Sequence, residues 1–287
     1  MNPSVLPSRP DHGAPEPVLL ILADISGYTR FMTSNAKSLA HSQVIITELV
    51  QTIIQVVELP LTVAKLEGDA VFLYGRKRDP GLPWAEAKRR ISERLPVFFD
   101  VFARRVNELR GSTTCTCGAC ANIEHLRLKF VVHSGEALFC RVAGFLELAG
   151  PDVILAHRLL KNSVPVRQYI LLTDAALADL EMPADLQHTM GVEHYEDFPA
   201  VTTHVYADAR TPVRSPVRRG VAAAIKWNLR LWFEPLLRFL FPELSGRSSG
   251  GGARVSGAGF VILSILLTPI YVPVCVLFTV VSQAARR

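Results

Sequence analysis

Apolar and polar positions follow two different periods along this chain. Val18 to Ala23 is an unbroken apolar run and Ala70-Val71-Phe72-Leu73 is another. Short runs of this kind, bounded by turn residues, predict strands buried on both faces. Between them Ile45, Ile46, Leu49, Val50, Ile53, Ile54 and Val57 recur at mostly three- and four-residue steps, the period of a helix with one apolar face. Leu61 to Ala64 predicts a return strand, and Gly68-Asp69 a tight turn into Ala70 to Tyr74. Pro83 to Leu109 predicts a second long helix through Ile91, Leu95, Phe98, Phe99, Phe102, Val106 and Leu109, with Pro96 as the point where it would kink or divide. A strand beginning near Leu126, another at Tyr169–Leu172, a short helix at Asp174–Leu180 and a closing strand at Thr202–Tyr206 complete the pattern. Strands alternating with two long helices predict an α/β (α+β) sandwich over residues 17–209.

The flanks read differently. Residues 1–16 hold four prolines and no apolar period, which predicts a disordered leader without the apolar core of a secretory signal. Residues 210–220 form a linker with four arginines and two prolines. Without interleaved aromatic residues, that linker points to anionic lipid and not to nucleic acid. In 221–243, Lys226, Arg230, Glu234 and Arg238 are spaced by four and Trp227, Trp232 and Phe233 stand among apolar residues, which predicts an amphipathic helix lying on a membrane or docking on a partner. Residues 244–258 are a Gly- and Ser-rich linker. The segment 259–283 contains Phe260 to Val281 without a charge, 22 residues, enough for a transmembrane anchor, with a re-entrant hairpin as the alternative. The basic residues from Arg210 to Arg254 favour a cytoplasmic domain held at the inner membrane by this C-terminal segment.

Charge adds little to this outline: the net is +5 over 287 residues, weighted toward the C-terminal third. The candidate chemistry lies in two acids. Asp24 ends the first apolar run and Asp69 follows Gly68 at the predicted turn. A carboxylate beside a buried strand needs a partner, because desolvating it alone costs several kcal/mol. A hairpin carrying Asp69 next to the first strand would give two oxygen ligands suited to Mg²⁺ or Mn²⁺, and the backbone of Ile25-Ser26-Gly27-Tyr28-Thr29 would face a phosphate. Capping or turn acids are the alternative reading of both.

These residues resemble the class III nucleotidyl cyclase catalytic domain. Asp24, Ile25, Gly27, Tyr28, Thr29 and Phe31 match a first motif of the form D-(I/L)-x-G-(F/Y)-T-x-F, and Lys65, Gly68 and Asp69 match a second, K-x-x-G-D. Leu128 to Glu136 is similar to the family's strand and H-x-G turn, and Gly150 to Arg158 to its motif G-x-x-V-N-x-A-x-R, with Ile154 where the family has asparagine. A closer resemblance is to a poorly characterised bacterial group of cyclase-like proteins with a central cysteine string. The resemblance implies a ferredoxin-like sandwich with a mostly antiparallel sheet. It also implies two Mg²⁺ or Mn²⁺ ions on Asp24 and Asp69, purine contact by Lys65 and Glu147, and transition-state stabilisation by Arg158. It further implies a head-to-tail homodimer, with Asp24, Asp69 and Lys65 from one chain and Arg158 from the other. The expected activity is conversion of ATP, or else GTP, to a 3′,5′-cyclic nucleotide. A catalytically inactive nucleotide-binding or dimerisation module is the alternative, favoured by Ile154. His133 is expected to be a hydrogen-bonded structural histidine and His157 to be exposed on its helix, with catalysis assigned to neither.

Cys115, Cys117 and Cys120 stand close together with Gly118 between them, a spacing suited to a structural Zn²⁺. A fourth ligand has to come from elsewhere. His125 would make a Cys₃His site and Cys140 a Cys₄ site, while redox-active or merely free thiols are the readings without metal.

Overall fold

The computed structural model describes residues 14–34, 38–142, 145–182, 184, 186–207 and 220–240, with scattered positions between 273 and 281. The described residues fall into two compact units, one within Met1–Gly27, Val50–Phe102 and Arg127–Thr211, the other within Tyr28–Leu49, Ala103–Leu126 and Pro212–Arg287.

The first unit is built on a mixed sheet. Its strands are β1 (Glu16–Ser26), β2 (Thr62–Glu67), β3 (Ala70–Arg76), β4 (Arg127–Val142), β5 (Phe145–Ala149), β6 (Tyr169–Thr173), β7 (Gln187–Glu193) and β8 (Val201–Ala207). They lie in the order β2-β3-β1-β4-β6-β8-β7, with β5 paired to the far end of β4. All pairings are antiparallel except β4 with β6. That parallel step needs a crossover, and α5 (Pro151–Arg158) lies on it between the two strands in sequence.

The unbroken apolar runs are explained by burial on both faces. Val18 through Ala23 and Val71 through Leu73 have no exposed surface. Because successive side chains in a strand point to opposite faces, Val18, Leu20 and Leu22 join Phe72, Val131 and Leu171 in one core with Val153, Leu155, Ala156 and Leu159 from the α5 side. Phe130 points the other way, where Phe98 and Phe99 of α3 (Trp84–Ser112) meet its ring edge-on with centroids 5.4 and 5.3 Å apart. Pro96 stands inside α3 without ending it, so the helix is neither divided nor stopped there. The short α6 (Asp174–Leu177) is capped by Thr173, whose hydroxyl accepts from the Ala176 amide.

The second unit contains α1 (Tyr28–Ser34), the start of α2 (Leu39–Val56), the end of α3, α4 (Gly118–Ala121) and α7 (Val221–Leu240). Trp227, expected as an interfacial aromatic, is instead buried and its indole N–H donates to the Thr113 hydroxyl at 2.7 Å. Asn228 is buried beside it. Its amide donates to the Ser112 and Ala224 carbonyls at 2.8 and 2.9 Å, and its oxygen accepts from the Thr114 amide and hydroxyl at 3.0 and 2.9 Å. Arg230 pairs with Glu48, which also holds Arg105. The face of α7 carrying Ala224, Trp227 and Leu231 is therefore covered by protein. Among the described residues no helix is long and apolar enough to cross a membrane. Of the expected leader, residues 1–13 lie outside the described residues, whereas Glu16 opens β1 and pairs with Arg76. The basic linker before Gly220, the Gly/Ser linker and, apart from the scattered positions named above, the expected anchor also lie outside the described residues.

Candidate functional site

Asp24 and Asp69 meet because of sheet register. Asp24 is the β1 partner of Ala70 in β3, and Asp69 immediately precedes Ala70 in the two-residue turn that closes Glu67 against Ala70. Gly68 begins that turn at φ +66°, a conformation that side chains with a Cβ rarely adopt. On its other side Asp24 is paired with Lys129 of β4, whose ammonium lies 3.0 Å from the Asp24 carboxylate and donates to the Leu160 carbonyl at 3.0 Å. Burial, the charge of Asp24 and a hydrogen bond with it push the Asp69 carboxyl up to about 7, with Lys129 pulling the other way. Two hydrogen-bonded carboxyl groups, one of them paired with the Lys129 ammonium, form an oxygen-rich set that suits hard divalent cations. Ile25 is buried in β1, Gly27 takes φ +91° after it, and Tyr28 and Thr29 open α1 in the second unit.

A second group forms around Lys65. Its ammonium lies 3.0 Å from Glu67 and 3.4 Å from Glu147 of β5, so the two residues expected to contact a base are neighbours. The hydrogen bond to Glu67 is the largest of the influences that raise the Lys65 pKa. Glu67 also reaches the His157 Nε2 at 2.9 Å, and the His157 ring stands edge-on to Phe72 at 4.9 Å. His157 is therefore half-buried and bonded, not the exposed helix residue expected. Arg158 and Ile154, one helical turn apart on α5, are both exposed, Ile154 at 53%.

His133 is buried and hydrogen-bonded. Burial lowers its pKa against an opposing bond to Asp152; Nδ1 is 2.9 Å from the Thr173 hydroxyl and Nε2 3.2 Å from Asp152. Asp152 also accepts from the Glu136 amide at 2.7 Å. Gly135 makes room for it: a Cβ there would lie 2.2 Å from the Asp152 carboxylate.

The second unit brings the three cysteines to a ligand that sequence spacing did not suggest. Cys115, Cys117 and Cys120 cluster with His41 of α2, all four ligand atoms lying within 4.8 Å of one another. His125 is exposed on the short turn after α4, and Cys140 belongs to β4, where its thiol donates to the Glu147 carbonyl; neither stands in this group. Burial lowers the His41 pKa, keeping the imidazole neutral, and raises the Cys115 and Cys120 thiols.

A family described as "Protein of unknown function (DUF2652)" matches residues 46–169. The chain is also 33% identical to "Uncharacterized protein Rv2561/Rv2562" of Mycobacterium tuberculosis over 156 residues, which are 54% of this chain and 70% of that protein. The chain belongs to that protein's family. Among solved structures, the adenylyl cyclase CyaB from P. aeruginosa aligns at TM-score 0.50 with 15% identity, over 72% of this chain and 100% of the other. A bacterial light-regulated adenylyl cyclase aligns at TM-score 0.48 with 12% identity over 79% of this chain, which spans 60% of that protein's length. The likeness to CyaB is one of fold: the domain has a nucleotidyl cyclase-like architecture. The matched stretch of this family of unknown function includes Lys65, Asp69, the three cysteines, Glu147 and Arg158, and begins after Asp24 and His41.

Sequence spacing assigns a site role to neither Lys129 nor His41. For Lys129 the available signal was its place on an apolar strand, where a buried-edge ammonium needs an acid; which acid depends on register. For His41 no local signal exists, because it sits on a helix 74 residues before the first cysteine.

Proposed function

We propose that this chain is a nucleotidyl cyclase that converts a nucleoside triphosphate, ATP ahead of GTP, to its 3′,5′-cyclic nucleotide and pyrophosphate. The observation that carries the reading is the meeting of Asp24 and Asp69, with the Asp69 carboxyl pushed up to about 7 by burial and by its neighbour. When bound there, two Mg²⁺ or Mn²⁺ ions would supply activation of the ribose 3′-hydroxyl and neutralisation of phosphate charge. Asp24 and Asp69 hold the cations, and Lys129 limits their mutual repulsion before the cations arrive. Lys65 offers a donor and Glu147 an acceptor, which suit N1 and the 6-amino group of adenine. Arg158, exposed on α5, is free to meet the phosphates of a nucleotide bound by a second copy, where its charge opposes that developing at the α-phosphate. The domain works in the cytoplasm at the inner membrane, tethered through 259–283, and anionic lipid is its neighbour there; membrane fractionation with and without that segment checks this.

A second reading, a nucleotide-binding or dimerisation module without turnover, is favoured by Ile154. An exposed isoleucine one turn before Arg158 has no polar group with which to orient a ribose.

Incubation of the full chain with ATP or GTP and Mn²⁺, followed by detection of cyclic nucleotide, separates these readings. Product is expected from the wild type and not from Asp24→Ala or Asp69→Ala. Mixing Asp24→Ala with Arg158→Ala should restore about a quarter of the activity, since half of randomly formed dimers would carry one intact site of two. Product that survives loss of either acid overturns the proposal, and nucleotide binding without product selects the module.

A further inference from the structure

The geometry around His41 calls for an ion. Its Nδ1 lies 3.6 Å from Cys115 Sγ, 3.5 Å from Cys117 Sγ and 3.8 Å from Cys120 Sγ. A ring nitrogen carries one hydrogen or one lone pair, directed in the ring plane, so it can serve one sulfur and not three. Three near-equal distances are what a shared central partner produces. A tetrahedral Zn²⁺ with Zn–S about 2.3 Å and Zn–N about 2.0–2.1 Å would hold nitrogen and sulfur about 3.6 Å apart. Four ligand atoms all within 4.8 Å leave room for a single ion and none for a multi-iron cluster.

We propose that His41, Cys115, Cys117 and Cys120 bind one Zn²⁺ in a closed structural site. Three thiolates and one imidazole are soft to borderline ligands that favour zinc over Mg²⁺ or Mn²⁺, so this ion is distinct from those on the acidic pair. With four protein ligands it has no open coordination position, and its work is mechanical.

What it fastens follows from the ligand positions. Cys117 is the N-cap residue of α4 and Cys120 lies within that helix, so the metal draws the loop from Thr114 to Cys120 around itself. His41 stands in the first turn of α2, and the ion therefore ties that turn to the loop after α3. α7 rests on the same strip: Trp227 and Asn228 bond to Ser112, Thr113 and Thr114, and the Trp232 ring stands edge-on to His41 with centroids 6.0 Å apart. Removal of the metal should free the strip and with it the hold on α7. The site thus joins three helices of the second unit through one ion.

The test uses the full chain, expressed with zinc supplied and purified with reductant and without chelator. Elemental analysis should find one zinc per chain, and Co²⁺ exchanged into the site should show the visible bands of a tetrahedral thiolate complex. His41→Ala should weaken zinc affinity by more than the roughly 10–100-fold that loss of an outer-shell partner costs. His41→Cys should retain one zinc and alter the Co²⁺ spectrum, which separates ligand loss from failure to fold. His125→Ala and Cys140→Ser should keep full zinc content. Zinc extraction should make α7 more readily cleaved by protease. Absence of zinc from the reduced wild type, iron in its place, unchanged affinity in His41→Ala, or loss of zinc in His125→Ala or Cys140→Ser would each overturn the proposal.

Discussion

Asp69→Asn should stabilise the protein at pH 8 when no divalent cation is present. The Asp69 carboxyl is raised from 3.8 to about 7, chiefly by burial and then by the Asp24 charge. The folded state therefore holds a proton that the unfolded state has lost between those two values, and stability falls as pH rises through that window. The full displacement corresponds to roughly 4 kcal/mol at about 1.4 kcal/mol per pH unit. Because water still reaches part of the group, screening reduces this to roughly 1–2 kcal/mol. An amide carries no charge at either pH, so the variant should recover that amount at pH 8 and gain almost nothing at pH 4. For a domain of this size the gain corresponds to roughly 2–8 °C in Tm. Thermal melts of the full chain between pH 4 and 8, in buffers freed of divalent ions without a chelator so that the cysteine cluster is untouched, measure the difference directly. Added Mn²⁺ should raise the wild-type Tm at pH 8 and leave Asp69→Asn nearly unchanged, since the ion supplies the charge that the acid lacks. A variant no more stable than wild type at pH 8 would show that Asp24 and Asp69 do not burden one another, and the two-acid site would fall with that result.

Two further outcomes follow from the packing. Gly135→Ala should cost about 1–3 kcal/mol, because a Cβ there would lie 2.2 Å from the Asp152 carboxylate and force it off the Glu136 amide and His133; denaturant unfolding checks it, and an unchanged midpoint would contradict the contact. Asn228→Ala should cost a similar about 1–3 kcal/mol, leaving the Ser112 carbonyl and the Thr114 amide and hydroxyl without their partner, and should expose α7 to limited proteolysis. Equal cleavage rates for variant and wild type would show that α7 is held by other means.

Much of this protein was written locally in its residues. The apolar runs at Val18–Ala23 and Val71–Leu73 could be read as buried strands because both sheet faces are covered, and the faces of α2 and α3 because helix period repeats every few residues. The two acids stood out because each ended or began such a run. β5 and β7 did not stand out. Gln187-His188-Thr189-Met190 in β7 is exposed and carries no apolar alternation; it is a strand because β8 offers it an edge to bond. Trp227 stands on an apolar helix face that amphipathic sequence specifies without saying whether lipid or protein covers it.

What tertiary structure alone decided are the partners drawn from far along the chain. Sheet register set Lys129 opposite Asp24, and one residue of slip would have turned it to the other face. Folding brought His41 to three cysteines more than seventy residues away, while His125, near them in sequence, points into solvent. Sequence encodes short-range period and composition directly, so strands, helices and charged ends are legible in it. Contacts between remote segments are set by how whole elements pair and pack, and the residues in them carry no local mark.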